Sequence, residues 1–133
     1  MPEPHAATYS FTKVVVHDLE KMAAFYQQVY GLRQITRIQA QIAGEPIDEI
    51  VLGTGADMAK SSIILLKYTQ RQPPRNGEVI QGWATPDLAG LLDRIRAAGG
   101  RVVQDLEDRP ELGIKLAFAT DPEGHLAELI QRL

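Results

Sequence analysis

Residues 120–133 read TDPEGHLAELIQRL, a turn running into a strand. In Asp121-Pro122-Glu123-Gly124 the proline presets φ, the glycine supplies a positive φ, and the Asp carboxylate can accept from a nearby backbone N–H. From His125 to Gln131 the pattern alternates, placing Leu126, Glu128 and Ile130 on one face and Ala127 and Leu129 on the other. One acid therefore stands in the middle of an otherwise apolar face. A carboxylate buried among aliphatic side chains is costly unless it is paired or used, so Glu128 becomes the first candidate functional residue.

The 133 residues suit one compact domain, with 44% hydrophobic and 23% charged residues, an ordinary globular composition. A net charge of −3 and the absence of a basic run give no basis for nucleic-acid or membrane-surface binding. The chain has no cysteine, which excludes disulfides, thiol catalysis and thiolate metal sites and suits the cytoplasm. Residues 1–8 lack an apolar core segment and read as a loose tail, and no apolar run approaches transmembrane length.

Working outward along the chain, 11–16 is a β-branched strand. Asp18 is placed as an N-cap before Leu19, Met22, Ala23, Tyr26, Val29 and Tyr30 at helical spacing, and Gly31 supplies the stop. Strands are expected at 34–40, 49–52 and 61–68, with a loop at 41–48 and linker chemistry (two prolines and Asn-Gly) at 70–78. The pattern then recurs: a strand at 79–85, a helix from Pro86-Asp87 with Leu88, Leu91, Leu92 and Ile95 as its apolar stripe, and Gly99-Gly100 at its end. Further strands are expected at 101–106, 114–120 and 125–131, with a loop over 105–113. Asp18-Leu19 and Asp87-Leu88 lie 69 positions apart, a self-similarity that indicates duplication. The expectation is an α+β fold of two βαβββ modules, about 9–69 and 79–133, forming curved mixed sheets around a cleft with the helices outside.

A paired βαβββ module that opens with HDLEKMAAFYQQVYGL and closes with TDPEGHLAEL resembles the vicinal oxygen chelate superfamily, which holds glyoxalase I, bleomycin-resistance, extradiol-dioxygenase and fosfomycin-resistance proteins. The resemblance runs from about Phe11 to the end of the chain. It implies a small-molecule ligand or substrate, a homodimer, and in metal-dependent members ligands on inward-facing strands. Carried onto this sequence, those ligand positions fall at Phe11, Leu65, Ile80 and Glu128. Three of the four are hydrocarbon, whereas catalytic metal sites need at least three oxygen, nitrogen or sulfur donors from the protein. No metal or other cofactor is therefore expected, and His5, His17 and His125 are read as surface or turn residues.

Period two extends the candidate site to Phe11, Lys13 and Val15, to Ile63, Leu65 and Lys67, to Ile80 and Gly82, and to Leu126 and Ile130 around Glu128. Mostly apolar walls with a few polar groups are the composition of a small-molecule pocket. Three readings of Glu128 stand open: a general acid or base tuned by desolvation, a recognition group for a ligand's donor, or an acid neutralised by Lys13 or another cation with no further role.

Overall fold

The computed structural model of the chain describes residues 9–55, 61–73 and 79–133; the expected tail at 1–8 and the Asn-Gly part of the linker, within 74–78, lie outside them. Strands β1 (Thr12–Val15), β2 (Arg33–Ile42), β3 (Glu45–Gly53) and β4 (Ser61–Tyr68) form one sheet in the order β1-β4-β3-β2, with helix α1 (Leu19–Tyr30) between β1 and β2. Strands β5 (Gln81–Ala84), β6 (Arg101–Arg109), β7 (Ile114–Thr120) and β8 (Leu126–Arg132) form a second sheet in the order β5-β8-β7-β6, with helix α2 (Leu88–Ala97) between β5 and β6. In each sheet the first and last strands pair in parallel and the other pairs are antiparallel. The architecture is α+β.

The helices begin and end where local chemistry dictates. Asp18 accepts from Lys21 N at 3.1 Å and Asp87 from Gly90 N at 3.0 Å, each satisfying an otherwise unpaired first-turn donor. Gly31 closes α1 in the left-handed region at φ 71°. The apolar stripes Leu19, Met22, Ala23, Tyr26, Val29 and Leu88, Leu91, Leu92, Ile95 enter one core with Val14, Val16, Ile50, Leu52, Ile63, Leu65, Ala117, Ala119, Ala127 and Leu129. This core defines the helix side of both sheets. The opposite side is the far face of each sheet.

Two segments differ from the sequence expectation. The loop expected over 41–48 is a tight hairpin: β2 and β3 pair down to Ile42 opposite Glu45, leaving only Ala43 and Gly44 to turn, at φ 49° and 83°. Two consecutive positive φ values are the type I′ geometry that matches strand twist, usually signalled by Asn-Gly and here by Ala-Gly. In the second half, β6 continues to Arg109 and a 3-10 turn, Pro110–Leu112, replaces most of the expected 105–113 loop.

At Gly100, where α2 gives way to β6, the second module packs tightly against Phe25 of the first. A Cβ there would lie 2.5 Å from Thr120 O, 2.7 Å from an Ile95 methyl and 3.1 Å from the Phe25 ring. Gly100→Ala must displace backbone, and is expected to lower unfolding free energy by about 1–3 kcal/mol in urea titration. An unchanged midpoint would show that the junction is looser than this geometry.

Candidate functional site

The 121–125 turn positions β8 by clasping the first module. The Asp121 carboxylate, 4% exposed, accepts four hydrogen bonds: from Glu123 N and His125 N on Oδ1, and from Tyr26 Oη and His125 Nδ1 on Oδ2, at 2.7–3.0 Å. His125 Nε2 donates to Val15 O at 3.0 Å. A carbonyl cannot donate and a carboxylate prefers a donor, so satisfying both contacts requires a proton on each ring nitrogen. The chain of contacts continues from Tyr26 Oη to Gln81 Nε2 at 2.9 Å and from Gln81 Oε1 to Trp83 Nε1 at 3.0 Å, and Trp83 stacks on Tyr30 with centroids 4.1 Å apart. Beside it, both Glu123 carboxylate oxygens accept from backbone N–H groups ahead of α1, those of His17 and Asp18, at 2.7 Å. His125 is therefore no surface residue. It is half of a largely buried ion pair within the turn, and its other ring nitrogen ties that turn to the β1 backbone of the first module.

Burial opposes charge on Asp121, yet the hydrogen bonds and charge of His125 outweigh it and hold the carboxyl below its ordinary range. Burial likewise opposes charge on His125, and Asp121 overrides it to push the imidazole up. Burial, reinforced by the Asp121 charge, raises Tyr26 well above the usual phenol range and keeps it a donor.

Glu128 shares the far face of the second sheet with Leu126 and Ile130, opposite Gly82 on β5 and Phe118 on β7. Its side chain is exposed, against the expectation of a carboxylate enclosed by hydrocarbon. The cause is local: β5 offers only Gly82 and Ala84 beside it, too small to cover it, and Ile80 on the same face is itself 58% exposed. Among the described residues Glu128 has no hydrogen bond or ion pair, so Lys13 does not neutralise it.

In the first sheet the expected facing holds for β1 and fails for β4. Phe11, Lys13 and Val15 alternate with the core residues Val14 and Val16 and so take the far face. Ile63 and Leu65 pack into the helix-side core, and Lys67, opposite Asp48, also leaves the far face. Lys67 instead lines a polar groove of about 550 Å³ with His17, Tyr68 and Arg71. The far-face residues of β4 are Ile64 and Leu66. Consequently Leu65 is not the counterpart of Glu128: Val16 N bonds Leu66 O just as Thr85 N bonds Ile130 O, which makes Ile64 that counterpart. The four equivalent positions become Phe11, Ile64, Ile80 and Glu128, still with a single donor. They do not fit a divalent metal.

Sequence reasoning missed Glu49. It lies on the far face of β3 opposite Leu66, is 6% exposed, and accepts a hydrogen bond from Lys13 Nζ at 2.9 Å across β4. Its position near the expected start of a short strand hid its facing; the acid between the aliphatic residues Ile47 and Val51 was the available signal.

A model of the Glyoxalase/Bleomycin resistance protein/Dioxygenase superfamily matches residues 5–129, and the chain belongs to that superfamily. It is 28% identical to lactoylglutathione lyase GLX1 of Arabidopsis thaliana over 122 residues, 88% of this chain but 41% of that protein. It is 31% identical to a probable lactoylglutathione lyase of Vibrio cholerae over 127 residues, 90% of this chain and 87% of that protein. Thus the chain spans less than half of the plant relative and most of the bacterial one. A crystallised glyoxalase family protein from Bacillus cereus has the same fold, with a TM-score of 0.82 at 16% identity over 100% of this chain and 99% of that one. No helix among the described residues is long and apolar enough to cross a membrane.

The clasp has a pH signature. His125, raised above its ordinary 6.5, contributes stability that is complete below that value and is lost as pH rises through the higher folded value. Asp121, lowered from 3.8, contributes stability that is present above that value and is lost as pH falls through the lower folded one. The urea midpoint should therefore fall on the alkaline side, and His125→Gln should flatten that limb. An alkaline limb unaltered in His125→Gln would show that the imidazolium is not the group responsible.

Proposed function

We propose that the chain binds a small, largely apolar organic molecule against its far faces without a divalent metal, with Glu128 meeting the molecule as an acid–base group or as a recognition group. The observation that carries this reading is the donor set: one carboxylate and three hydrocarbon side chains at the positions where metal-dependent members hold ligands. What the faces do offer is apolar surface with the exposed carboxylate of Glu128 on one sheet and the Lys13 ammonium on the other. That matches the few polar groups on apolar walls of a small-molecule site.

Exposed Phe11 and Ile80, 43% and 58% accessible, support a homodimer in which a second copy covers these faces and completes the cleft. A cysteine-free chain suits the reducing cytoplasm, where we place it. If the protein is catalytic, proton transfer next to a carbonyl, as in a lyase or isomerase, is the chemistry open to an unassisted carboxylate. The names of the Arabidopsis and Vibrio relatives favour a lyase; a metal-dependent lyase, isomerase or dioxygenase is a second reading, and it needs ligands at positions other than the four compared here. A sequestration or resistance protein would bind in the same way and release the molecule unchanged.

In a thermal-shift screen of small aromatic, aldehyde and organic-acid compounds in metal-free buffer, binders should raise Tm. For any compound turned over, Glu128→Gln should lower kcat by about a hundredfold or more while leaving the Tm of the ligand-free chain nearly unchanged, because the side chain is exposed. Undiminished turnover would remove Glu128 from the chemistry. Binding without turnover would assign it recognition alone.

A further inference from the structure

We propose that Lys13, aimed by Glu49, is an anion-recognition group, and that the molecule bound at this face is an organic acid: an apolar body carrying one anionic group. The inference rests on the small-molecule reading above and names the chemical class of its ligand.

The two partners are unequally covered. The Glu49 side chain is 7% exposed, whereas that of Lys13 is 32% exposed. The carboxylate is sealed and the ammonium reaches the surface. An ammonium has three donors, and the 2.9 Å bond to Glu49 Oε2 uses one, with no other Lys13 hydrogen bond among the described residues. Two donors remain for a ligand. The surroundings are hydrocarbon: Ile64 and Leu66 on β4 and Val51 on β3, all buried, lie on the same face, and the half-exposed Phe11 ring sits 5.9 Å from the ammonium. A cation beside an exposed aromatic ring, with buried hydrocarbon beneath it, selects a ligand that sets an apolar body against the ring and an anion on the ammonium.

The internal repeat supplies the control. Lys13 pairs in register with Ile64 and Gly82 with Glu128, so Gly82 holds the place of Lys13 in the second module. Glu49 faces Leu66 and Leu116 faces Ile130, so Leu116 holds the place of Glu49. The same sheet is thus built in the second half from glycine and leucine, with no ion pair. The fold does not require Lys13 and Glu49 where they stand, and a hydrocarbon pair is generally at least as stabilising as a buried ion pair. Glu49 fixes the ammonium's direction without occupying all its donors.

The test uses a matched pair of fluorescent probes, 8-anilinonaphthalene-1-sulfonate and its neutral relative N-phenyl-1-naphthylamine, titrated into the folded chain. Lys13→Met alone leaves Glu49 buried without its cation, so the double variant Lys13→Met/Glu49→Leu, which copies the apolar character of the second module, is carried alongside. The sulfonate should lose about tenfold or more in affinity in both variants, while the neutral probe changes by less than about twofold. Lys13→Arg should recover most of the sulfonate affinity, and Glu49→Gln, which keeps the ammonium, should not lose it. Sulfonate binding indifferent to Lys13, or equal losses for both probes, would overturn this inference alone. Failure of both probes to bind the parent chain would contradict the apolar-face reading and this inference with it.

Discussion

Asp121 is the constraint on which the arrangement of the two modules depends. A carboxylate this deeply buried is tolerated only if its lone pairs are met, and here two backbone N–H groups, a phenol and an imidazolium meet them. Two of those donors belong to its own turn and shape it. The other two reach outward: Tyr26 Oη comes from α1 of the first module, and His125 passes the contact on to the backbone of β1. Removing any member leaves a buried polar group without its partner, so the network specifies one relative placement of the sheets rather than a range. Glu123 acts in the same sense by holding the backbone ahead of α1.

That placement gives Glu128 and Glu49 opposite situations. Glu128 stands exposed between a glycine and a half-covered phenylalanine, available to whatever approaches its sheet. Glu49 is sealed beneath its sheet's surface and acts outward only through Lys13. The faces therefore present a carboxylate on one module and an ammonium on the other, each set in hydrocarbon. Superfamily membership is secure from the sequence and the fold, and the fold itself hosts many activities. At the four positions where the family resemblance implies metal ligands, this chain carries Phe11, Ile64, Ile80 and Glu128.

Much of this was legible in the sequence where local chemistry decides structure. Both helices follow from apolar spacing with Asp caps, and the 69-residue recurrence of Asp-Leu exposes the duplication. The alternation in 125–131 correctly separates Glu128 from Ala127 and Leu129 because polar and apolar residues take turns there. Ile63-Ile64-Leu65-Leu66 offers no such alternation, so periodicity cannot say which residues face the helices, and the choice of Ile63 and Leu65 for the far face was off by one. The Ala43-Gly44 hairpin lacks the usual Asn-Gly signal. The clasp depends on Tyr26, 95 positions before Asp121, and on a β1 carbonyl 110 positions before His125; no local pattern encodes either contact.

The most direct test of the account is the metal content of the purified chain by elemental mass spectrometry, with Tm followed on adding zinc, manganese, nickel or iron(II) and on chelation. A single donor among four positions predicts far less than one metal ion per chain and no change in Tm in either direction. One ion per chain, with stability lost on chelation and restored by metal, would contradict it.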